Sequence, residues 1–459
     1  MKAEIPKPEV EYYNETFLIT QYNYNLQFYP YYNARLNAMK ESLVNSAKHT
    51  WPEIPIHDLS DLADKDDEDE ESGNVDNQMS LLDEEIFHGK EVVVIGILFK
   101  KMPSQPNILK ELDDEKKMIA QIEIDQFNFV SEHDIIYLQS GDESIELKGN
   151  IKINELCTGI CIAVKGHITP STSGFIVDDV CFSLINQIER PFITNDYHVA
   201  IVSGLGFSKN MAKNLPLARS LNLLFDILTG NSKLVVSKTI VSLIIAGNSL
   251  GKNARNEEKE SDLDKKTPAW NKKVQSFTVD AMKLLDKFLA NIGQYTFVDV
   301  MPGVLDPCNY LWPQQPMHPC LLPNAYSKDS IRSVPNPHRA SYFGVEFLGT
   351  SGQNVDSIRS CTNFTESTDI LRQIMEWGHI APTCPDLLHS YPYSDKDPLV
   401  LDHYPDIFFA GNQSDFALGS FESQSGKKVK LISVPVFEDK MIAILVNLRT
   451  LNCEIVAFN

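Results

Sequence analysis

Asp196-Tyr197-His198 is an Asp-x-His, a spacing that lets one carboxylate and one imidazole grip the same metal ion. It comes just before the apolar run Val199 to Ser203, which reads as a strand. Ligands of layered α/β domains gather beyond the carboxyl ends of strands, so the pair reads as a surface turn at the wrong end. Cys157 and Cys161 come closest to a thiolate pair, but three residues intervene and no second pair follows at zinc-site distance. Placed on a strand, they share a face with Gly159 and Ala163, so they are expected as buried thiols of a reducing compartment. Gly204-Leu205-Gly206 lacks the third glycine and the lysine of a phosphate loop. Gly349-Thr350-Ser351-Gly352 lacks the second glycine of a nucleophile elbow and reads as a tight turn. His379, His389 and His403 follow no metal spacing and are expected to be surface or hydrogen-bonded histidines.

The elements that would position these residues fall into two textures. Between about residues 81 and 190 short strands dominate: Glu91 to Met102, Met118 to Phe127, Ile135 to Gln139, Ser144 to Leu147, Glu155 to Gly166 and Gly174 to Leu184. Many strands with almost no helical period suggest a small barrel of the oligonucleotide-binding (OB) type. After Pro191 apolar strands (Val199 to Ser203, Val241 to Ala246, Phe297 to Met301, Ile407 to Ala410) alternate with helices such as Val279 to Asn291 and Ser367 to Trp377. The chain closes on strands at Val429 to Val436, Met441 to Leu448 and Cys453 to Phe458. This predicts an α/β domain with a layered sheet core. The expected organisation is an N-terminal helical and aromatic arm (1–60), an acidic linker (61–80), the barrel (81–190) and the α/β domain (191–459) with a mobile loop at 251–268.

Charge narrows the function. Lys+Arg number 41 against 62 Asp+Glu, a net charge of −21, which repels a phosphate backbone. Asp64, Asp66, Asp67, Glu68, Asp69, Glu70 and Glu71 leave the linker no apolar surface to bury. The N-terminal aromatics, Tyr12 to Tyr32, lack interleaved lysine and arginine, which favours packing of the arm onto the body over base stacking. No apolar run is long enough to span a bilayer, and the expected compartment is the cytosol or nucleus.

Taken in order, the strand-end segments after Pro191 resemble those of a calcineurin-like metallophosphoesterase. Active members of that superfamily supply Asp-x-His, Gly-Asp, Gly-Asn-His-Asp/Glu and Gly-His-x-His to a binuclear metal centre. Here Gly204 and Gly206 stand in the first segment, Asn248 in the second, Val304, Leu305 and Asp306 in the third, and Asn412 and Ser414 in the last. One carboxylate and two amides cannot hold two metal ions, so no metal and no cofactor is expected. The resemblance therefore implies an α+β multidomain chain: an OB-fold barrel plus a catalytically dead phosphoesterase α/β-sandwich.

Longer phrases sharpen the match. Asp299-Val300-Met301-Pro302-Gly303, Asp306-Pro307-Cys308-Asn309-Tyr310, Pro313-Gln314-Gln315-Pro316-Met317-His318-Pro319-Cys320, Phe347 to Val355 and Gly378 to Thr383 resemble the B-subunit family of DNA polymerases, the delta type in particular. Gly96 to Met102 with Pro106 to Leu109, and Ala34-Arg35-Leu36, are similar to that family's barrel and N-terminal helix. The resemblance implies a nuclear, non-catalytic scaffold for replication and repair synthesis. Its implied partners are the cysteine-rich C-terminal module of the catalytic subunit and an elongated clamp-binding third subunit, with DNA reached only through the complex and no membrane contact. Tyr310, Trp312, Met317 and His318, set among Pro313, Pro316, Pro319 and Pro323, are the expected partner contacts. The alternatives are a B subunit of polymerase alpha or epsilon, an active phosphoesterase relying on Asn248, Asp306 and Asn412, or a free single-strand binder using Lys100, Lys101, Lys148, Lys152 and Lys165.

Overall fold

A computed structural model of the chain describes residues 8–61, 90–105, 128–169, 172–232, 239–251 and 277–458. The acidic linker beyond Asp61, the loop 252–268, the expected strand Met118 to Phe127 and the Pro106 to Leu109 phrase lie outside the described residues. Two compact units emerge, each built from separate stretches: Asn23–Asn186 with Asn354–Asp402, and Met1–Tyr22 with Gln187–Gln353 and His403–Asn459. The stretch Asn354–Asp402, which sequence reading places within 191–459, thus lies in the barrel's unit. Among the described residues no helix is long and apolar enough to cross a membrane.

In the first unit five strands close a ring. Val92–Lys101 pairs antiparallel with both Ile135–Ser140 and Cys161–Thr169, Ile135–Ser140 with Glu143–Gly149, and Cys161–Thr169 with Thr172–Cys181. The ring shuts through a parallel pairing of Glu143–Gly149 with Thr172–Cys181. Closure removes the unpaired edges that an open sheet of this length would expose. The helix Tyr29–Thr50, with Pro30 in its first turn, places Leu36, Met39, Leu43 and Ala47 on one stripe. That stripe packs on Val93, Ile95, Ile97 and Ala163 of the barrel wall.

One side chain organises this unit. Arg35 is buried, and its guanidinium donates to Asp397 (2.6 Å) and to the carbonyls of Gly159 (2.9 Å), Pro382 (2.8 Å) and Cys384 (2.7 Å). Asp397 also accepts from Tyr31 Oη at 3.0 Å and meets His379 Nε2 at 2.8 Å. A buried arginine is tolerable because its planar fork finds an acceptor for each edge. The same residues tie residues 379–397 to the helix and the barrel turn. Cys157 corrects the expectation from sequence. It lies in the turn before the strand Cys161–Thr169, so the two thiols do not share a strand face, although both are buried.

In the second unit two six-stranded sheets carry the α/β pattern. His198–Val202, Ile240–Ala246 and Phe297–Met301 run parallel, with Ile331–Ser333 beyond them and Ile442–Asn447 and Cys453–Ala457 on the other side. The other sheet runs Val10–Tyr12, His338–Tyr342, Val345–Thr350, Ile407–Gln413, Lys428–Pro435, Ala417–Glu422. Strand residues alternate in direction. Val199, Ile201, Ile244 and Met301 therefore meet Tyr342, Phe347, Phe409 and Val434 between the sheets. Ala200, Val202, Leu243 and Val300 face the helices Leu215–Leu228 and Phe277–Ile292 on the outer side. Within this second unit, the carboxyl ends of the first sheet's three parallel strands come beside that of Ile407–Gln413.

Candidate functional site

Each parallel strand hands over to a turn, and those turns interlock. Gly204 donates its N–H to the Gly247 carbonyl at 3.0 Å, and Glu438 donates to the Gly204 carbonyl at 2.9 Å. Asn248 and Asn412 both hold positive φ, 52° and 57°, the left-handed conformation that asparagine adopts more readily than most residues. One atom of each amide is engaged by the chain itself, while Asn412 Oδ1 is buried without a hydrogen-bond partner among the described residues. Asn248 Oδ1 accepts from Leu305 N at 3.0 Å, while Asn412 Nδ2 donates to the carbonyls of Ala246 (3.0 Å) and Ser351 (2.9 Å).

Asp306 is the carboxylate left at this place, and it too faces inward. It accepts from the backbone N–H of Leu250 (3.1 Å) and Gly303 (2.9 Å), with those of Ser249 and Asn248 also close. Burial pushes its carboxyl up to about 6, opposed by those backbone donors. The glycines of these turns are closely packed. A Cβ on Gly204 would lie 2.7 Å from Val436, and one on Gly303 would lie 2.3 Å from Asn248 Oδ1. No larger side chain fits either position without moving its neighbours. Val304 and Ser414 stand exposed at the rim, and Gly206 is buried against Glu438. Gly204, Gly206, Asn248, Leu305, Asp306 and Asn412 do converge, and what they build is a set of mutually bonded turns. Among the described residues no three His, Cys, Asp or Glu side chains gather as a metal site would require.

The look-alike motifs resolve into ordinary contacts. Asp196 is exposed and accepts from Arg449 at 2.8 and 2.9 Å, while His198 opens its strand and bonds Thr239 Oγ1 at 2.9 Å. Ser351 Oγ donates to Gln353 Oε1 at 2.6 Å. His403 pairs with Glu346 at 2.8 Å, and burial lowers His379 to about 4 with Arg35 adding to the effect. The lysines that would support a single-strand binder are largely committed. Lys100 is buried beside Asp134, Lys148 pairs with Glu146 (3.1 Å), Lys152 with Glu155 (3.2 Å) and Lys165 with Glu91 (3.3 Å).

The proline-rich segment corrects the sequence reading of its contacts. Trp312 is 0% exposed and Met317 1%, the latter within the helix-side core. Neither can serve as a surface anchor. Tyr310 and His318 remain exposed. Gln314 and Gln315 are structural as well: Gln315 Nε2 donates to the Phe17 carbonyl at 3.0 Å, and Gln314 Oε1 accepts from Asn336 and Gln353, each at 2.8 Å.

A buried polar cluster between the sheets was not foreseen from sequence. Asp299 accepts from Tyr12 Oη at 2.9 Å and from Tyr342 Oη, with His338 Nε2 3.8 Å away. Burial raises its carboxyl to about 6 against those phenol donors. An aspartate inside an otherwise apolar strand, Phe297–Met301, was the available signal.

Residues 199–418 match the family described as the B subunit of DNA polymerases alpha and epsilon, and residues 27–180 match the DNA polymerase delta subunit OB-fold domain. The chain is 33% identical to the DNA polymerase delta small subunit of Oryza sativa subsp. japonica, over 81% of this chain and 84% of that one. It is 30% identical to DNA polymerase delta subunit 2 of Drosophila melanogaster over 98% of each chain. With the DNA polymerase delta small subunit of Saccharomyces cerevisiae the identity is 27% over 95% and 90%.

Proposed function

The chain belongs to the family of DNA polymerase delta small subunits, accessory proteins without catalysis of their own, and on that footing we propose that it bridges the polymerase's other subunits. In this reading it joins the cysteine-rich C-terminal module of the catalytic subunit to an elongated clamp-binding third subunit. It reaches DNA only through them and works in the nucleus in replication and repair synthesis. Its second unit is read as a calcineurin-like phosphoesterase sandwich that has lost its chemistry.

The observation that carries the reading is the fate of the strand-end polar groups. Asn248, Asp306 and Asn412 all turn to the chain's own backbone. A metal-dependent hydrolase needs such groups open toward water and phosphate. Once shed, that task leaves a rigid body whose remaining use is its surface. The net charge of −21 favours protein partners over bare DNA.

Bridging is tested by size-exclusion chromatography of the full-length catalytic and third subunits with and without this chain. The expected result is that the two co-elute only when the chain is present. Co-elution in its absence would show that the two subunits meet directly.

A further inference from the structure

In the second unit the first sheet ends on Cys453–Ala457, and among the described residues no strand pairs with its outer side. Proteins usually blunt such an edge with lysine, proline or a bulge. This one, Cys-Glu-Ile-Val-Ala, holds no lysine, arginine or proline, and its register with Ile442–Asn447 runs without a bulge. Hydrogen bonds at both ends fix which groups it leaves open. Asn447 N donates to the Asn452 carbonyl and Phe458 N to the Met441 carbonyl, each at 2.9 Å. Bonded pairs recur at every second position of an antiparallel ladder. Glu454 and Val456 therefore bond inward, and the N–H and C=O groups of Cys453, Ile455 and Ala457 point away from the sheet.

A second observation lies across the sandwich. Successive side chains point to opposite faces: Val456 packs on the helix-side core and Cys453 on the core between the sheets. Ile455 shares the face of Cys453, yet it is 48% exposed. The outermost hairpin of the other sheet, Ala417–Glu422 with Lys428–Pro435, turns Ile432 and Val434 toward the same space. Leu418 pairs with Ile432 and is 40% exposed, and Ser420 pairs with Lys430. Burial pushes the Cys453 thiol up to about 11, and Lys430 opposes it from the facing sheet. The two sheets thus part on this side into a mouth lined by Leu418, Ser420, Lys430, Cys453 and Ile455.

The lining defines its complement. Lys427 pairs with Asp406 and Lys428 with Glu422, whereas Lys430 meets no carboxylate among the described residues. An occupant therefore needs apolar side chains beside Ile455 and Leu418 and an acidic one beside Lys430. A second copy pairing edge to edge would bring only Cys453, Ile455 and Ala457 to that face, without a carboxylate, and a net charge of −21 opposes its approach. The edge itself is held in place, since Phe458 is buried and its carbonyl accepts from Ser220 Oγ at 2.7 Å.

We propose that an extended segment of another polymerase subunit adds as a further strand to Cys453–Ala457, with apolar side chains filling the mouth and a carboxylate on Lys430. The inference rests on the reading of the chain as an accessory subunit and adds a place and a mode of contact to it. In strand addition the main-chain hydrogen bonds supply affinity, and the pockets for alternate side chains supply selectivity.

The test uses the full-length chain immobilised against the full-length catalytic and third subunits in turn. Ile455→Pro removes one outward N–H and an apolar side chain without touching an inward bond. Lys430→Glu reverses the charge in the mouth, and Glu454→Gln, on the opposite face, is the control. Ile455→Pro and Lys430→Glu are each expected to weaken binding of the same one subunit about tenfold, with Glu454→Gln unchanged. Binding of that subunit is expected to slow hydrogen exchange at the backbone amides of Cys453, Ile455 and Ala457. If Ile455→Pro fails to fold, Lys430→Glu and the exchange measurement decide. Wild-type affinity of either folded variant for both subunits, or unchanged exchange in the complex, would overturn the proposal and leave the accessory-subunit reading intact. A wild-type chain that binds neither subunit would overturn both. Protection of the same amides in the chain alone as its concentration rises would overturn the proposal in favour of a second copy.

Discussion

Asp306 and Asp299 show what single residues disclose and what they conceal. The sequence singled out Asp306 as the one carboxylate expected among the strand-end segments, since residue type and order are visible there. Its direction was not, because a carboxylate that clamps backbone N–H groups and one that waits for a metal are the same letter. Asp299 was read only as part of a family phrase, and its buried pairing was not read, as its partners Tyr12 and Tyr342 are far away in the chain. Its raised pKa fixes a sign. A carboxyl that is about 6 when folded and near 3.8 otherwise contributes stability below the lower value and loses it as pH rises through the upper one. Relative to Asp299→Asn, the natural chain should therefore lose roughly 2–3 kcal/mol between pH 4 and 6.5 in urea unfolding. Parallel pH profiles for the two proteins would contradict the burial argument. Trp312 reverses a reading of the same kind. An aromatic among prolines suits an interface or a core equally well by composition, and packing assigns it to the core. Trp312→Ala should cost about 3–5 kcal/mol of stability, measured by chemical denaturation, with partner binding preserved in whatever fraction stays folded. A stable variant that has lost a partner would restore the interface role.

At the scale of elements, periodicity was a good guide wherever the pattern was strong. Phe297–Met301 and Ser367–Trp377 have the bounds their sequence predicts, and the apolar stripe of Phe277–Ile292 faces the core as expected. Less was legible where local signals are weak. The hairpin His338–Tyr342 with Val345–Thr350 is polar on its first strand, His338, Arg339 and Ser341, and its burial comes from pairing rather than hydropathy. The helix Leu215–Leu228 hides behind Pro216, which reads as a breaker but serves in the first turn. The N-terminal arm proved to contain a strand, Val10–Tyr12, that covers the edge of His338–Tyr342 and delivers Tyr12 to Asp299. Removing residues 1–17 should uncover that edge and strip Asp299 of a donor. The expected outcome is a lowered melting temperature and concentration-dependent association by light scattering. A monodisperse truncated chain with unchanged melting would show that the strand is dispensable.

Across the whole molecule, two discontinuous units, a strongly acidic surface and a closed-off strand-end cluster point the same way. The chain invests its buried polar groups in holding its own segments, Arg35 in one unit and Asp299 and Asp306 in the other. Among the described residues no three His, Cys, Asp or Glu side chains gather in one place as metal ligands would. The discontinuity of the units was beyond sequence reading, because Arg35 meets its acceptors more than a hundred residues away. The most direct measurement of the central claim is native mass spectrometry of the chain co-expressed with the full-length catalytic subunit of DNA polymerase delta. The account predicts a complex whose mass is the sum of one copy of each. Two separate species, with the chain alone hydrolysing a phosphodiester in a metal-dependent way, would contradict it.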